Sequence, residues 1–277
     1  MIPVFLLVAA QGHLFIVGGG SQSDSLVARF VELAGGRGRA RIAVVPMASS
    51  EPAATGEEKA VQLREFGADA FVLLLTRAQA ESAATARRLD GVTGIWFTGG
   101  DQTLVTPVLL GTATLAAMQA RYRAGAVVGG TSAGAAVMSD SMLTGNQRPP
   151  GDTLGYYGDE FPVIARGVIE IVPGLGFLSG VIVDQHFVRR ERHNRLLAVI
   201  LERPTLIGVG IDESTVLEVR PDGSWTVRGA ASVVLYDARR ARLTPRGAPL
   251  GAADVRLHVL PAGATFNPTT GRVSLPN

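Results

Sequence analysis

Apolar positions fall into two textures along the chain. Over the first two thirds, continuous apolar runs of strand length alternate with segments whose apolar residues recur every three or four positions. "HLFIVG" (13–18), "RIAVVP" (41–46), "AFVLLL" (70–75), "GIWFTGG" (94–100) and "GAVVGG" (125–130) are of the first kind. Unbroken apolar runs suit strands covered on both faces, because a strand with one wet face alternates. "SDSLVARFVELAGG", "GEEKAVQLREFG" and "RAQAESAATARRLDG" carry the helical period, and each closes near a glycine, a frequent helix stop. "AGAAVMS", just after Ser132, opens a further helix. Strand and helix in alternation predict βαβ units, and so an α/β fold with a mostly parallel central sheet flanked by helices.

Further along, residues 140–162 read as loop, rich in Gly, Pro, Asp and Tyr. "GVIVDQHF" (180–187) returns to a strand and "RRERHNRLLAVILE" (189–202) to a helix. From residue 205 the texture changes to short alternating segments: "TLIGVGID", "STVLEVR", "SWTVRG", "SVVLYD" and later "VRLHVL". These predict antiparallel strands toward the C-terminus. Residues 1–277 are expected to form one α/β domain, with 238–277 as a C-terminal β extension. No internal repeat or low-complexity tract interrupts it.

Composition narrows the functions available. A chain of 277 residues, 47% hydrophobic, can bury a large core. The formal net charge is only +2. The pI near 9.4 reflects arginine, since Lys59 is the sole lysine. Balanced charge lacks the basic stripe of a nucleic-acid binder, so no such partner is expected. The absence of cysteine excludes disulfides, thiolate nucleophiles and zinc–cysteine sites, and no metal or cofactor is expected. No apolar run approaches the length of a membrane span. The start, "MIPVFLLVAAQG", has two readings. It matches the tail of a signal peptide, with Val8-Ala9-Ala10 as a small-residue cleavage site, or it forms a short N-terminal strand. The first implies a secreted or periplasmic protein and the second a cytoplasmic one.

Two glycine-rich turns follow strands. "VGGGSQSDS" (17–25) stands where a dinucleotide-binding loop would, but it is not G-x-G-x-x-G and no acidic residue ends the next strand. It reads as a tight strand-to-helix turn. Residues 130–134, Gly-Thr-Ser-Ala-Gly, form a G-x-S-x-G between strand and helix, the context of a nucleophile elbow. The chemistry asks for small neighbours, because larger ones would collide with sheet and helix as Ser132 projects from a sharp turn. The amide of Ala133 at the helix start can face a developing oxyanion. "FTGGDQ" (97–102) offers a second donor from Gly99 or Gly100. A serine nucleophile needs a base. His13 opens the first strand, His193 lies among charges on a helix, and His258 sits in the late β region. His186 ends a strand and begins a loop, where catalytic groups collect, and is the candidate base. The acid that holds a base's tautomer is open among Asp184, Asp212 and Glu213.

With these residues in hand, the chain resembles the cyanophycinase family of serine peptidases, which also includes aspartyl dipeptidases. "GGTSAGA", "FTGGDQ", "GLGFL…VIVDQHF…R.R..RL" and "GIDEST" carry the resemblance, and "DQHF" with its spaced arginines is the most specific part. The resemblance implies a sandwich like that of class I glutamine amidotransferases, with serine in place of their cysteine, and a homodimer. It implies Ser132 as nucleophile, His186 as base and Glu213 as acid. It places Gln102, Asp184, Gln185, Arg190, Arg192 and Arg195 at substrate-binding positions. Guanidinium groups suit free carboxylates, which they bind in a bidentate fork. The implied activity is hydrolysis of cyanophycin, multi-L-arginyl-poly-L-aspartate, to β-Asp-Arg dipeptides through an acyl-enzyme. An α-aspartyl or isoaspartyl dipeptidase keeps the machinery and changes the substrate. A catalytically idle binding protein is disfavoured by the candidate triad. An α/β-hydrolase esterase is disfavoured by the chain order Ser, His, acid.

Overall fold

The computed structural model describes residues 11–148, 151–155, 157–158 and 160–276. The stretch read as a signal-peptide remnant or strand lies outside the described residues up to position 10.

The first half builds the expected alternation. It runs β1 (Leu14–Val17), α1 (Asp24–Leu33), β2 (Arg41–Val45), α2 (Pro52–Glu65), β3 (Asp69–Val72), α3 (Arg77–Glu81), α4 (Ala83–Arg87) and β4 (Gly94–Phe97). After a 3-10 turn at Gln102–Leu104 come α5 (Thr106–Leu109), α6 (Ala113–Arg123), β5 (Val127–Thr131) and α7 (Ala133–Ala136). The segment expected as one helix over 77–91 is two. Ser82 is extended, and its side chain accepts from the Ala84 amide, capping α4 where α3 stops.

The second half holds β6 (Ser141–Gln147), β7 (Ile169–Pro173), β8 (Val181–Gln185), α8 (His193–Glu202), β9 (Ile207–Ile211), β10 (Thr215–Val219), β11 (Trp225–Gly229) and β12 (Ser232–Asp237). The short strands β13 (Arg242–Leu243), β14 (Ala252–Ala253), β15 (Arg256–Pro261), β16 (Thr265–Asn267) and β17 (Arg272–Ser274) complete it. Two expectations are corrected here. Residues 141–147 are a strand, not loop, and pair with β7 across an irregular register between Leu143 and Gln147. The helix expected over 189–202 begins only at His193, because His186 and Glu191 take left-handed φ values of 47° and 51° and turn the chain first.

Among the described residues, nine strands form the main sheet in the order β17-β16-β11-β10-β1-β5-β4-β2-β3. The β1-β5-β4-β2-β3 half is parallel and the C-terminal strands add to it antiparallel. A second sheet, β15-β12-β9-β8, pairs β8 with β9 in parallel and the rest antiparallel. Strand residues divide between two cores as the pleat requires. Leu14, Ile16, Val45, Ile95, Phe97 and Val128 face α7 and the second sheet. Phe15, Val17, Ile42, Val44, Trp96 and Val127 face α1 and α2. That division is why these strands read as unbroken apolar runs. Each buried Val, Leu, Ile or Phe side chain contributes about 1.5–3 kcal/mol. The far face of the second sheet is closed by α8, through Leu196, Val199 and Ile200. The helix α7 lies between the two sheets, against β5 on one and β8 on the other.

Candidate active site

Ser132 is the single residue between β5 and α7, at φ 54° and ψ −113°, a strained conformation for a residue with a side chain. Its amide donates to the Val17 carbonyl at 3.0 Å, which fixes the corner against β1. Glycine at 134 is a packing requirement. A Cβ there would stand 2.9 Å from the Phe97 Cβ and closer still to the Phe97 carbonyl.

His186 follows β8 of the second sheet, and Glu213 lies in the turn from β9 to β10, which carries the chain back to the main sheet. The Gly18-Gly19-Gly20 turn after β1 joins them. The Gly18 carbonyl accepts the His186 amide at 2.6 Å, the Gly19 carbonyl accepts the Ser214 amide at 2.8 Å, and the Gly18 amide donates to the Thr215 carbonyl at 3.0 Å. Gly19, at φ 114°, passes directly over the imidazole. A Cβ there would lie 2.8 Å from Nδ1 and closer still to Cε1 and Nε2. The role of this glycine was not visible in the sequence, where the turn resembled only a strand-to-helix connection.

These contacts align one hydrogen-bonded chain. His186 Nε2 is 2.9 Å from Ser132 Oγ and Nδ1 is 2.7 Å from Glu213 Oε1. An ionised carboxylate only accepts, so Nδ1 carries the proton and Nε2 of neutral His186 accepts from the serine hydroxyl. Burial pushes His186 below the ordinary histidine value. The Glu213 hydrogen bond opposes that, while the charges of Arg190 and Arg192 add to it. The hydrogen bond from His186 holds Glu213 below the usual carboxylate range, with Arg189 and Arg190 reinforcing it. The arrangement therefore keeps imidazole neutral and glutamate charged near neutral pH, the protonation state that deprotonating a serine requires. The amides of Gly99, Gly100 and Ala133 have no protein acceptor among the described residues. Gly99 adjoins the serine: a Cβ on it would be 3.4 Å from the Ser132 Cβ.

The other acid candidates lie elsewhere. Asp212 Oδ1 accepts the Arg189 amide at 3.0 Å and caps the turn after His186. Asp184 and Arg195, expected at the substrate, instead form an ion pair at 1% and 2% exposure. Arg195 Nε donates to Asp184 Oδ2 at 2.8 Å, Nη2 bonds Oδ1, and the guanidinium stacks on Phe161 at 4.6 Å. Burial without a partner would be very costly for either ion, so they pair behind the β8 terminus, where the Gln185 amide donates to Asp184 Oδ1 at 2.8 Å and Arg192 Nη1 stands 3.9 Å from the same oxygen. Arg192 is also buried, and its Nη1 donates to the carbonyl and the Oε1 of Gln185, both at 2.8 Å. Buried Gln102 donates from Nε2 to the carbonyls of Leu143 and Thr144 at 2.8 Å, tying β6 to the Gly99–Gly100 turn. These five side chains, expected at substrate-binding positions, are thus buried and hydrogen-bonded within the protein around the site. Arg190 is the exposed one of the expected set.

Comparison with known proteins gives concordant results. Residues 14–226 match peptidase family S51. A cyanophycinase of Synechococcus elongatus is 34% identical over 276 residues, covering 95% of this chain and 81% of its own. A cyanophycinase of Geminocystis herdmanii is 33% identical over 271 residues, covering 94% and 95%. Among solved structures, a peptidase from an acI-B1 Actinobacterium superposes with a TM-score of 0.67 at 21% identity, covering 95% of this chain and all of that one. At that identity the superposition speaks for the fold alone.

Proposed function

The chain belongs to peptidase family S51 and is a serine peptidase; on that premise we propose that it hydrolyses cyanophycin, releasing β-Asp-Arg dipeptides through an acyl-enzyme on Ser132. The observation that carries the reading is the hydrogen-bonded Ser132–His186–Glu213 chain at the strand ends, in a protein whose relatives of similar length are cyanophycinases.

In this mechanism Ser132 Oγ attacks a main-chain aspartyl carbonyl as its proton passes to His186 Nε2. Glu213 stabilises the imidazolium through Nδ1–H. The carbonyl oxygen becomes an oxyanion received by the amides of Ala133 and of Gly99 or Gly100. The C–N bond then breaks, and the leaving amine takes the proton from Nε2. Water repeats the sequence against the ester: His186 accepts its proton, hydroxide adds to the carbonyl, and Ser132 leaves reprotonated. Arg190, exposed beside His186, is suited to a free carboxylate of the polymer's arginyl branches.

The test is incubation of the full chain with insoluble cyanophycin and mass analysis of the supernatant. The expected product has the mass of β-Asp-Arg, and Ser132→Ala releases none. Intact polymer alongside rapid cleavage of α-aspartyl dipeptides would move the chain to the dipeptidase reading.

A further inference from the structure

Beside the catalytic corner lies a cavity of about 530 Å³ that the mechanism above does not use. Gly99 and Thr131, which flank Ser132 in space and in sequence, form one wall, and α2 forms the opposite one. Lys59, the only lysine of the chain, reaches into it from α2. Its Nζ sits 4.2 Å from the centroid of the Trp96 ring and donates to Gln22 Oε1 at 3.0 Å and Gln62 Oε1 at 2.6 Å. Gln22 in turn bonds the Gly20 carbonyl at 2.7 Å and reaches Thr131 Oγ1 at 3.4 Å, so the ammonium is linked to the residue preceding Ser132.

Two features of this cavity are unsatisfied. Among the described residues no carboxylate comes within salt-bridge distance of Lys59 Nζ. Two of its donors go to the glutamines and the ammonium otherwise faces the Trp96 ring, so no paired anion among the described residues balances its charge. Burial, partly offset by the charge of Glu58, lowers Lys59 to about 8. The second feature is Thr98, which borders the cavity next to Gly99 at 3% exposure and whose Oγ1 has no hydrogen-bond partner among the described residues. Buried polar groups are normally satisfied, and a pair left open at one cavity points to a ligand with anionic oxygens. Glu58 and Glu65, seven residues apart on one face of α2, line the same cavity. The lining therefore offers one cation and two anions, the complement of a zwitterion with a carboxylate and a separate cationic end.

We propose that this cavity is a subsite for an arginyl branch of the substrate, with Lys59 and Thr98 receiving its α-carboxylate and Glu58 and Glu65 its guanidinium. The proposal rests on the cyanophycin reading, since an arginine joined through its α-amino group keeps both charged ends. Lys59 is then a specificity-determining residue, and seating the branch beside Gly99 sets the scissile carbonyl against Ser132.

The experiment compares two soluble β-linked aspartyl-arginine oligomers. One carries free branch carboxylates and the other the corresponding carboxamides. Wild-type protein, Lys59→Met and Lys59→Arg are assayed on both; methionine keeps an unbranched apolar stem without the charge. On the carboxylate substrate, Lys59→Met should lose about 10- to 100-fold in kcat/KM, mostly through KM, as expected for a hydrogen bond to a charged group. Lys59→Arg should recover most of that loss. On the carboxamide, the wild type should already be weakened and Lys59→Met should lose little more. With Glu58 and Glu65 the charged groups that face the ammonium, KM for the carboxylate substrate should climb above pH 8 in the wild type and stay level in Lys59→Arg. Equal losses on both substrates, or none, overturn the subsite while leaving the cyanophycin reading intact. No turnover of either oligomer by the wild type overturns both.

Discussion

Gly19→Ala tests how closely His186, the proposed base, is held. The added Cβ would fall 2.8 Å from Nδ1 of His186 and nearer still to the other edge of the ring. The ring cannot swing aside freely, because Glu213 holds one nitrogen and Ser132 meets the other. Restoring van der Waals contact needs a shift of about 1 Å, and misplacing a catalytic group by that much costs roughly 100-fold in rate. Alanine at φ 114° adds a backbone penalty of about 1–2 kcal/mol. Gly35→Ala separates the two effects. Gly35 has φ 113°, and the nearest atoms to a Cβ there lie at 3.8 Å. Both variants should melt earlier, Gly19→Ala by more because it also overpacks the ring, but only Gly19→Ala should slow turnover and the labelling of Ser132 by a fluorophosphonate. Labelling of Gly19→Ala at the wild-type rate would refute the argument that this glycine exists for the imidazole. Equal slowing in both variants would refute it as well.

The acidic limb of kcat/KM should lie below 6.5, since His186 is held below its ordinary value and must be neutral to act. Arg190→Ala removes a charge that lowers His186, so the limb of Ser132 labelling should move to higher pH, and a limb moving lower would contradict the assignment. Glu213→Gln removes the group that supports the imidazolium and should cost orders of magnitude in rate, whereas Asp212→Asn keeps an oxygen for the Arg189 amide and should stay near wild type in the same assay. Arg195→Met leaves buried Asp184 with the Gln185 amide and Arg192, 3.9 Å away, as its remaining partners, so denaturant titration should show a loss approaching the roughly 3–5 kcal/mol of a broken buried pair; an unchanged midpoint would mean that the pair does not brace the fold. His193→Ala breaks a 2.9 Å contact to the Tyr236 hydroxyl and a ring contact to Phe187, and should lower the melting temperature more than the rate.

The parallel half of the main sheet was legible because burial on both faces leaves unbroken apolar runs, as in "RIAVV" and "GIWF". The serine corner was legible because its small residues are forced by contacts that backbone geometry imposes, as at Gly134. Other features depend on long-range partners that local pattern does not encode. Nothing in "VIVDQ" or "LIGVGI" says that these strands leave the main sheet and pair in a second one. Polar "SMLTGNQ" reads as loop, yet β7 supplies it with a ladder. Arg192 and Arg195 look like a wet helix face until Gln185 and Asp184 are seen to receive them inside. Lys59 stood out only as a count of one, and its meaning waited on Trp96, Gln22 and Gln62 arriving around it.

Because Ser132 belongs to one sheet and His186 to the other, with Glu213 in the connection between them, the relay spans a seam rather than sitting within one unit. On a ribosome the chain is made from its N-terminus, and domains tend to fold in that order. The corner at Ser132 and the five parallel strands of its half-sheet can emerge while His186 and Glu213, the proposed base and acid, are still unmade. Even then β1 lacks β10, its antiparallel neighbour at residues 215–219, which follows Glu213 directly. On the proposed assignment, hydrolytic competence therefore waits until residues 186–219 have been made and β8, β9 and β10 have docked. On the same assignment, a growing chain carries Ser132 with nothing to activate it until His186 and Glu213 have been added.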